Sequence, residues 1–207
     1  MDATKNSKPS LRARADAVRN HRCKNLIAVI EHPADLRNIG TVIRNVNALG
    51  VEKAYVITDG DLLPNDWQEM RTRRALNAIS ASAIKWSFVR KFADTERCLA
   101  HLEQNGFESI VTSPHTKGRQ NAILHEANYT TYTKLAVWFG NDGIGISQLA
   151  IERSVLCVNI PMFGIIESLN LGTSSGIVLY EITKQRRAFQ DKLRANIAAK
   201  KRASRTV

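Results

Sequence analysis

Two loops hold most of the residues whose types could do chemistry. "FGNDGIGIS" (139–147) leaves a strand-like run and enters a helical one. Gly140, Gly143 and Gly145 free its backbone for tight turns, and Asp142 is its one charged side chain. "IPMFGIIESLNLGTSSG" (160–176) carries Gly164 and then Ser168, Leu169 and Asn170 at the mouth of a helix, after a stretch in which Glu167 is the one charge. Ser168 and Asn170 are cap-forming types, each worth about 1 kcal/mol in that role. Asn38 opens an earlier helical pattern as a third cap candidate, and Arg44 follows it six residues on. Taken singly, each feature is what an ordinary strand-to-helix turn requires.

The elements that must position these residues alternate. "NLIAVIE" (25–31) is a short apolar run that ends at His32-Pro33 and reads as a buried strand. Residues 38–50 place Ile39, Val42, Ile43, Val46 and Leu49 at helical spacing, with Asn38 as N-cap and Gly50 as C-cap. Strands are predicted at 53–60, 87–92, 108–113, 135–140 and 155–161. Helices are predicted at 94–106 and 146–154, and a final one starts near Leu169 or Asn170. Residues 62–86 are polar at first, then helical and rich in small side chains, and residues 114–134 read as a polar loop with a short turn of structure. Repeated β-α-β order implies an α/β fold with a mostly parallel sheet and helices on both faces. Ligands in such sheets sit beyond the carboxyl ends of the strands. Here those ends are His32-Pro33, Thr112-Ser113, Phe139-Gly140 and Ile160-Pro161.

Several function classes lose support. No GxGxxG follows the first strand, no GxxxxGK[ST] occurs, and no HExxH or similar histidine pair is present. Neither a Rossmann dinucleotide site, a P-loop nor a metal site is therefore expected. Cys23, Cys98 and Cys157 have no CxxC spacing and are odd in number, which suits free thiols in a reducing, cytoplasmic compartment. No apolar run reaches the ~18 residues that would span a bilayer, so no membrane partner is expected. The net charge is +11, and it is uneven. Residues 1–24 hold seven Lys or Arg against two Asp, and residues 182–207 hold nine against one, around a near-neutral body. Both basic ends have helical spacing, which favours a polyanion partner, nucleic acid first, over solvated tails. The organisation expected is a basic helical extension (1–24), one α/β domain (25–183) and a basic helical tail (184–207).

In combination the motifs become specific. "NIGTVIRNVNALGV", "FGNDGIGIS" and "IPMFGIIESLNLGTSSGIVLYE" resemble, in order and spacing, the three motifs of the TrmH (SpoU) branch of the SPOUT methyltransferases. "RALNAISASAIKW" resembles the small-residue segment of that family, and the likeness covers roughly residues 25–187. The resemblance implies a deep C-terminal trefoil knot that wraps S-adenosylmethionine in backbone and apolar side chains. Thr112, Ser113, Gly140, Ile160 and Leu169 would line that cofactor. It implies a homodimer, in which the first-motif Arg approaches the partner's cofactor. It implies methylation of a ribose 2′-hydroxyl in RNA. Short basic ends without a separate RNA-binding domain resemble the tRNA-acting type, with a D-loop guanosine as a candidate target.

By the same resemblance Asn38, Arg44, Asp142, Ser168 and Asn170 form the catalytic set. The family's Arg has been proposed as the base. A guanidinium titrates above ~12 and, charged, has no acceptor, so clamping the phosphate beside the target ribose is the easier role for Arg44. Asn38 would orient Arg44 or the ribose, and Ser168 and Asn170 would position the ribose or its phosphate. Asp142 departs from the family, which uses Glu there and so reaches one methylene further. Two other readings stay open: a ribosomal-RNA 2′-O-methyltransferase, and a non-catalytic RNA-binding relative.

Overall fold

The computed structural model describes residues 10–203 apart from positions 20 and 61. Seven parallel strands form one sheet in the order β3-β2-β1-β6-β4-β7-β5. They are β1 (Cys23–Glu31), β2 (Val51–Ile57), β3 (Phe88–Phe92), β4 (Glu108–Thr112), β5 (Asn121–Ile123), β6 (Leu135–Phe139) and β7 (Leu156–Asn159). The helices are α1 (Leu11–Arg19), α2 (Leu36–Ala48), α3 (Trp67–Thr72), α4 (Arg74–Ile79), α5 (Thr95–Gln104), α6 (Gln148–Glu152) and α7 (Leu171–Ala203).

Alternation along the central strands divides the core in two. Leu26, Ala28 and Ile30 of β1 join Val137 and Phe139 of β6 in a cluster with Ile39, Ile43 and Val46 of α2 and Val178, Leu179 and Ile182 of α7. Ile27 and Val29 join Ala136 and Trp138 in a second cluster with Leu99 and Leu102 of α5 and Ala150 and Ile151 of α6. Both faces of the sheet are thus covered, which is why β1 and β6 read as unbroken apolar runs.

Three local expectations change. Helix α2 begins at Leu36, and its N-cap is Asp35, whose carboxylate accepts the Asn38 N–H at 2.8 Å. The Asn38 side chain is therefore not a cap and is available for another partner. Residues 62–86 fold as two short helices and a 3-10 turn over Ala83–Trp86. The polar stretch 114–134 contains β5, a three-residue edge strand beside β7 with no buried residue, too short and too exposed to show an apolar pattern. At the predicted helix stops Gly50 and Gly106 both have positive φ, which glycine adopts without strain.

Helix α7 is the long element. Gly172 lets it close on α2, since a Cβ there would lie 2.6 Å from Thr41 Cγ2. Asn45 of α2 donates to Gly172 O at 2.7 Å and to Ser175 Oγ at 3.0 Å, locking the crossing. The helix runs on through residue 184 without interruption. Arg186 is buried and donates to the carbonyls of Tyr129, Tyr132 and Thr133, and Arg187 donates to Leu49 O. No helix among the described residues is long and apolar enough to cross a membrane.

Candidate active site

Beyond the carboxyl ends of β4, β6 and β7 lies a pocket of about 270 Å³. Thr112, Ser113, Gly140, Ile160 and Leu169 all line it, so the structure brings the five proposed cofactor residues to one place. Asp142 and Ser168 also line it. His115, Lys117 and Glu167 add three titratable side chains that the motifs alone did not single out. Thr112 donates its hydroxyl to Trp138 O at 2.8 Å, and the Ser113 hydroxyl accepts the His115 N–H at 3.1 Å.

The loop from Gly140 to Ser147 is folded tightly on itself. Asn141 and Gly145 exchange backbone hydrogen bonds of 3.0 and 2.9 Å. A Cβ on Gly140 would stand 2.3 Å from the Gly145 carbonyl carbon, so that position tolerates no side chain. Both ends of the loop are tied to the end of β1. Asn141 Nδ2 donates to His32 O at 2.6 Å, while Asn141 Oδ1 accepts from Gly143 N and Ile144 N. Glu31, 1% exposed, accepts from Ser147 N at 2.7 Å, from Ser147 Oγ at 2.6 Å and from Thr95 Oγ1 at 2.6 Å. Three donors satisfy a carboxylate that would otherwise be costly to bury. Burial first, then the Glu31 charge, pushes the neighbouring Cys98 thiol up.

Asp142 joins three elements. Its Oδ2 accepts Asn38 Nδ2 at 2.6 Å and Asn170 Nδ2 at 3.4 Å, and its Oδ1 accepts the Leu171 N–H at 2.8 Å. The last bond puts an anion on the first turn of α7, where the helix dipole favours it. Asn170 Nδ2 also reaches Asn38 Oδ1 at 3.3 Å, and Asn170 Oδ1 accepts the Gly172 N–H at 2.8 Å. Asn38, Asp142 and Asn170 thus form one hydrogen-bonded cluster, which meets the pocket through Asp142; Asn38 and Asn170 stand behind it and do not line the pocket themselves. Ser168 caps nothing, because α7 starts only at Leu171, and it stands exposed on the pocket rim.

Arg44 is set apart. It is exposed on α2, one helical turn after Thr41 and so on the face that meets α7. It does not line the pocket, and it makes no hydrogen bond or ion pair with the described residues. Its guanidinium keeps all five donors for an outside acceptor.

Besides His115, Lys117 and Glu167, motif spacing missed Glu31 and Asn141, which anchor the loop. The signal for Glu31 was present, as a lone charge closing an apolar strand at its carboxyl end. Among the described residues no group of three or more His, Cys, Asp or Glu side chains is placed to hold a metal ion. The three cysteines are free and buried.

Comparison with known proteins agrees with this architecture. A tRNA (guanosine(18)-2'-O)-methyltransferase of Thermus thermophilus is 26% identical over 175 residues, covering 84% of this chain and 82% of that protein. The crystal structure of the Aquifex aeolicus TrmH/SpoU tRNA modifying enzyme superposes with a TM-score of 0.70 at 24% identity, over 87% of this chain and 86% of the other. The SpoU methyltransferase AviRb from Streptomyces viridochromogenes, solved in complex with AdoMet, gives 0.67 at 19% identity, over 80% of this chain and 62% of that one. Over residues 25–180, a span that contains the pocket, the anchored Gly140–Ser147 loop and the Asn38–Asp142–Asn170 cluster, the sequence matches the SpoU rRNA Methylase family, and the chain belongs to that family.

Proposed function

We propose that this chain transfers a methyl group from S-adenosylmethionine to a ribose 2′-hydroxyl of RNA, with tRNA as the substrate. The observation that carries the reading is the convergence of the Gly140–Ser147 loop, the 160–170 segment and the start of α7 on one pocket, tied through Asp142 to the helix that bears Asn38 and Arg44. The Thermus thermophilus relative, named for guanosine 18 of tRNA, supports the substrate and makes a D-loop guanosine the first target to test.

The pocket suits the cofactor. Its volume of about 270 Å³ lies near the small end of ligand clefts, ~300–1,000 Å³. Ile160, Leu169 and Leu171 give flat apolar walls for adenine, with loop backbone between them, and Lys117 and Glu167 give charges of both signs for an amino-acid end. The bound cofactor supplies an electrophilic methyl. Thr112, Ser113, Gly140, Ile160 and Leu169 hold and orient it. Asn38, with its amide already fixed by Asp142 and Asn170, and Ser168, on the rim, position the ribose. Arg44 clamps the adjacent phosphate with its free donors. The nucleophilic hydroxyl is thereby presented in line, and orientation carries most of the rate.

The resemblance also implies threading of the segment between β7 and α7 as a trefoil. It is supported by β7 lying between β4 and β5, with the chain then returning to α2. A homodimer completes the reading. Phe163 and Ile165 are 95% and 99% exposed on the pocket segment, and Ile177 and Tyr180 of α7 are exposed beside it, an apolar surface that a second copy would cover. A sedimentation experiment at micromolar concentration should show a dimer, and a monomer would remove the composite site. The basic ends outside residues 25–183 are assigned to RNA, and the free cysteines suit a reducing cytoplasm.

The test is incubation with labelled S-adenosylmethionine and separate tRNA and rRNA pools, followed by mapping of the modified nucleotide. Label on a tRNA 2′-oxygen is expected. Label on rRNA alone would favour the substrate that the family's name carries, and label on neither would leave a non-catalytic RNA-binding relative.

A further inference from the structure

The pocket lies at the carboxyl-terminal end of the strands, whereas a second concentration of cations and aromatic faces lies at the opposite, amino-terminal edge. Helix α7 connects the two. Leu171 meets Asp142 at the pocket, and Arg187, sixteen residues on, meets Leu49 O in the turn before β2. At a rise of about 1.5 Å per residue these points are ~24 Å apart.

Backbone and side-chain contacts make this second region continuous. Gly50, which precedes β2, packs against the His21 carbonyl and the Arg187 guanidinium. Arg22 Nη1 donates to Trp86 O at 2.9 Å, and Arg71 Nη2 donates to Lys85 O at 2.8 Å. Two arginines therefore pin the short 3-10 turn that carries Trp86, each keeping further N–H donors for another acceptor. Arg71 lies over the Trp67 ring at 4.5 Å, and Trp67 packs against Phe88 with centroids 6.1 Å apart. Trp86 and Phe88 are nevertheless 42% and 43% exposed, and Lys85, next to Trp86 in the chain, is exposed too. Of the acids beside α3, Asp66 is engaged in capping the Glu69 N–H.

We propose that this edge is a second RNA-docking surface, in which Trp86 and Phe88 stack on unpaired bases while Arg22, Arg71 and Lys85 take the flanking phosphates. The inference rests on the RNA reading above. Aromatic faces tolerate any base, and guanidinium and ammonium groups beside them follow the backbone, the usual chemistry of single-stranded RNA contact. Arg187 of α7 and Arg22, just ahead of β1, both reach this edge, away from the pocket.

The experiment measures fluorescence anisotropy of full-length protein with an unmodified tRNA transcript and with a labelled single-stranded oligouridylate, alongside S-adenosylmethionine affinity and melting temperature. W86A/F88A should weaken binding to both RNAs about thirtyfold or more, the range that loss of two base stacks gives. Cofactor affinity should stay near wild type, melting should fall by only a few degrees through the lost Trp67–Phe88 contact, and the salt slope should hold, because stacking releases no counterions. W86F should recover most of the affinity. Lys85→Ala should instead lower the salt slope by about 0.7–0.9. RNA affinity retained in full by W86A/F88A would overturn this surface while leaving the methyltransferase reading intact. Wild-type protein that binds neither RNA would overturn the substrate reading and the surface together.

Discussion

Glu31 should hold the site together from below, and its removal has a calculable cost. The carboxylate takes two bonds from Ser147 and one from Thr95, all at 2.6–2.7 Å and with 1% exposure. Hydrogen bonds to a charged group are worth about 1.5–3 kcal/mol each, and a buried donor left unmade costs about 1–3 kcal/mol. The two hydroxyls can turn to other acceptors, but the Ser147 N–H cannot. Glu31→Ala should therefore lose about 3 kcal/mol. At an unfolding entropy of about 2.1 cal/mol/K per residue, a chain of this length melts ~7 °C lower. Glu31→Gln keeps the volume and one acceptor, and about 1.5 kcal/mol, or ~3.5 °C, is expected. Ser147 ends the loop that walls the pocket, so both variants should also bind S-adenosylmethionine more weakly, the Ala form by about tenfold, or 1.4 kcal/mol. Calorimetric melting and titration of the same samples measure both quantities. Val89→Ala, in the edge strand β3, supplies a comparison that loses stability without touching the loop. A Glu31→Ala protein that melts with wild type would refute the hydrogen-bond argument. One that melts low yet binds cofactor normally would refute the link from β1 to the pocket.

Arg44→Ala should abolish methyl transfer and leave cofactor affinity within about twofold, since Arg44 does not line the pocket. Arg44→Lys keeps the charge but loses the bidentate fork, so it should stay impaired from about pH 7 to 10, and recovery near the lysine pKa of ~10.4 would instead make residue 44 a base. Removing residues 191–207 spares the buried contacts of Arg186 and Arg187 and takes away six Lys or Arg; the salt slope of RNA binding should fall by about 0.7–0.9 for each phosphate no longer neutralised, and an unchanged slope would leave the tail a solubility feature. Gly172→Ala should destabilise by about 1–3 kcal/mol through the clash with Thr41 Cγ2, with partial relief in Gly172→Ala/Thr41→Ala by thermal melting; additive losses would show that the crossing of α2 and α7 has room to spare.

The sheet was legible because its central strands are buried on both sides. Runs such as Leu26–Ile30 and Leu135–Phe139 carry no polar break, and glycines mark the helix stops. The edges were less so. β5 spans three residues with no buried side chain, and its pairing comes from β7 rather than from its own composition. The α2 cap was misplaced because Asp35 and Asn38 are both good capping types three residues apart, and only the fold shows which is turned toward the helix. The proposed cofactor residues were gathered by motif resemblance, because they come from positions as far apart as 112 and 169. No local periodicity links such positions. Glu31 escaped for the converse reason, since one charge at the end of a strand resembles an ordinary strand terminus until its three donors arrive from α5 and the start of α6.

The shorter acid in the second motif can be understood in the same terms. Asp142 has one methylene less than Glu, so it can serve Asn38, Asn170 and Leu171 only if all three approach the loop closely. Two glycines make that approach feasible. Gly140 lets the loop fold flat against Gly145, and Gly172 lets α7 sit against Thr41 of α2. The Asn141 side chain, bonded to His32 O, fixes the residue next to Asp142 in space. With its backbone held from both sides, a short rigid carboxylate spans the gap at 2.6 and 2.8 Å, with less side-chain entropy to lose than Glu would have. The substitution thus keeps the charge where Asn38 needs it. That amide is held in one orientation by Asp142 and Asn170, ready for the ribose-positioning role proposed for it.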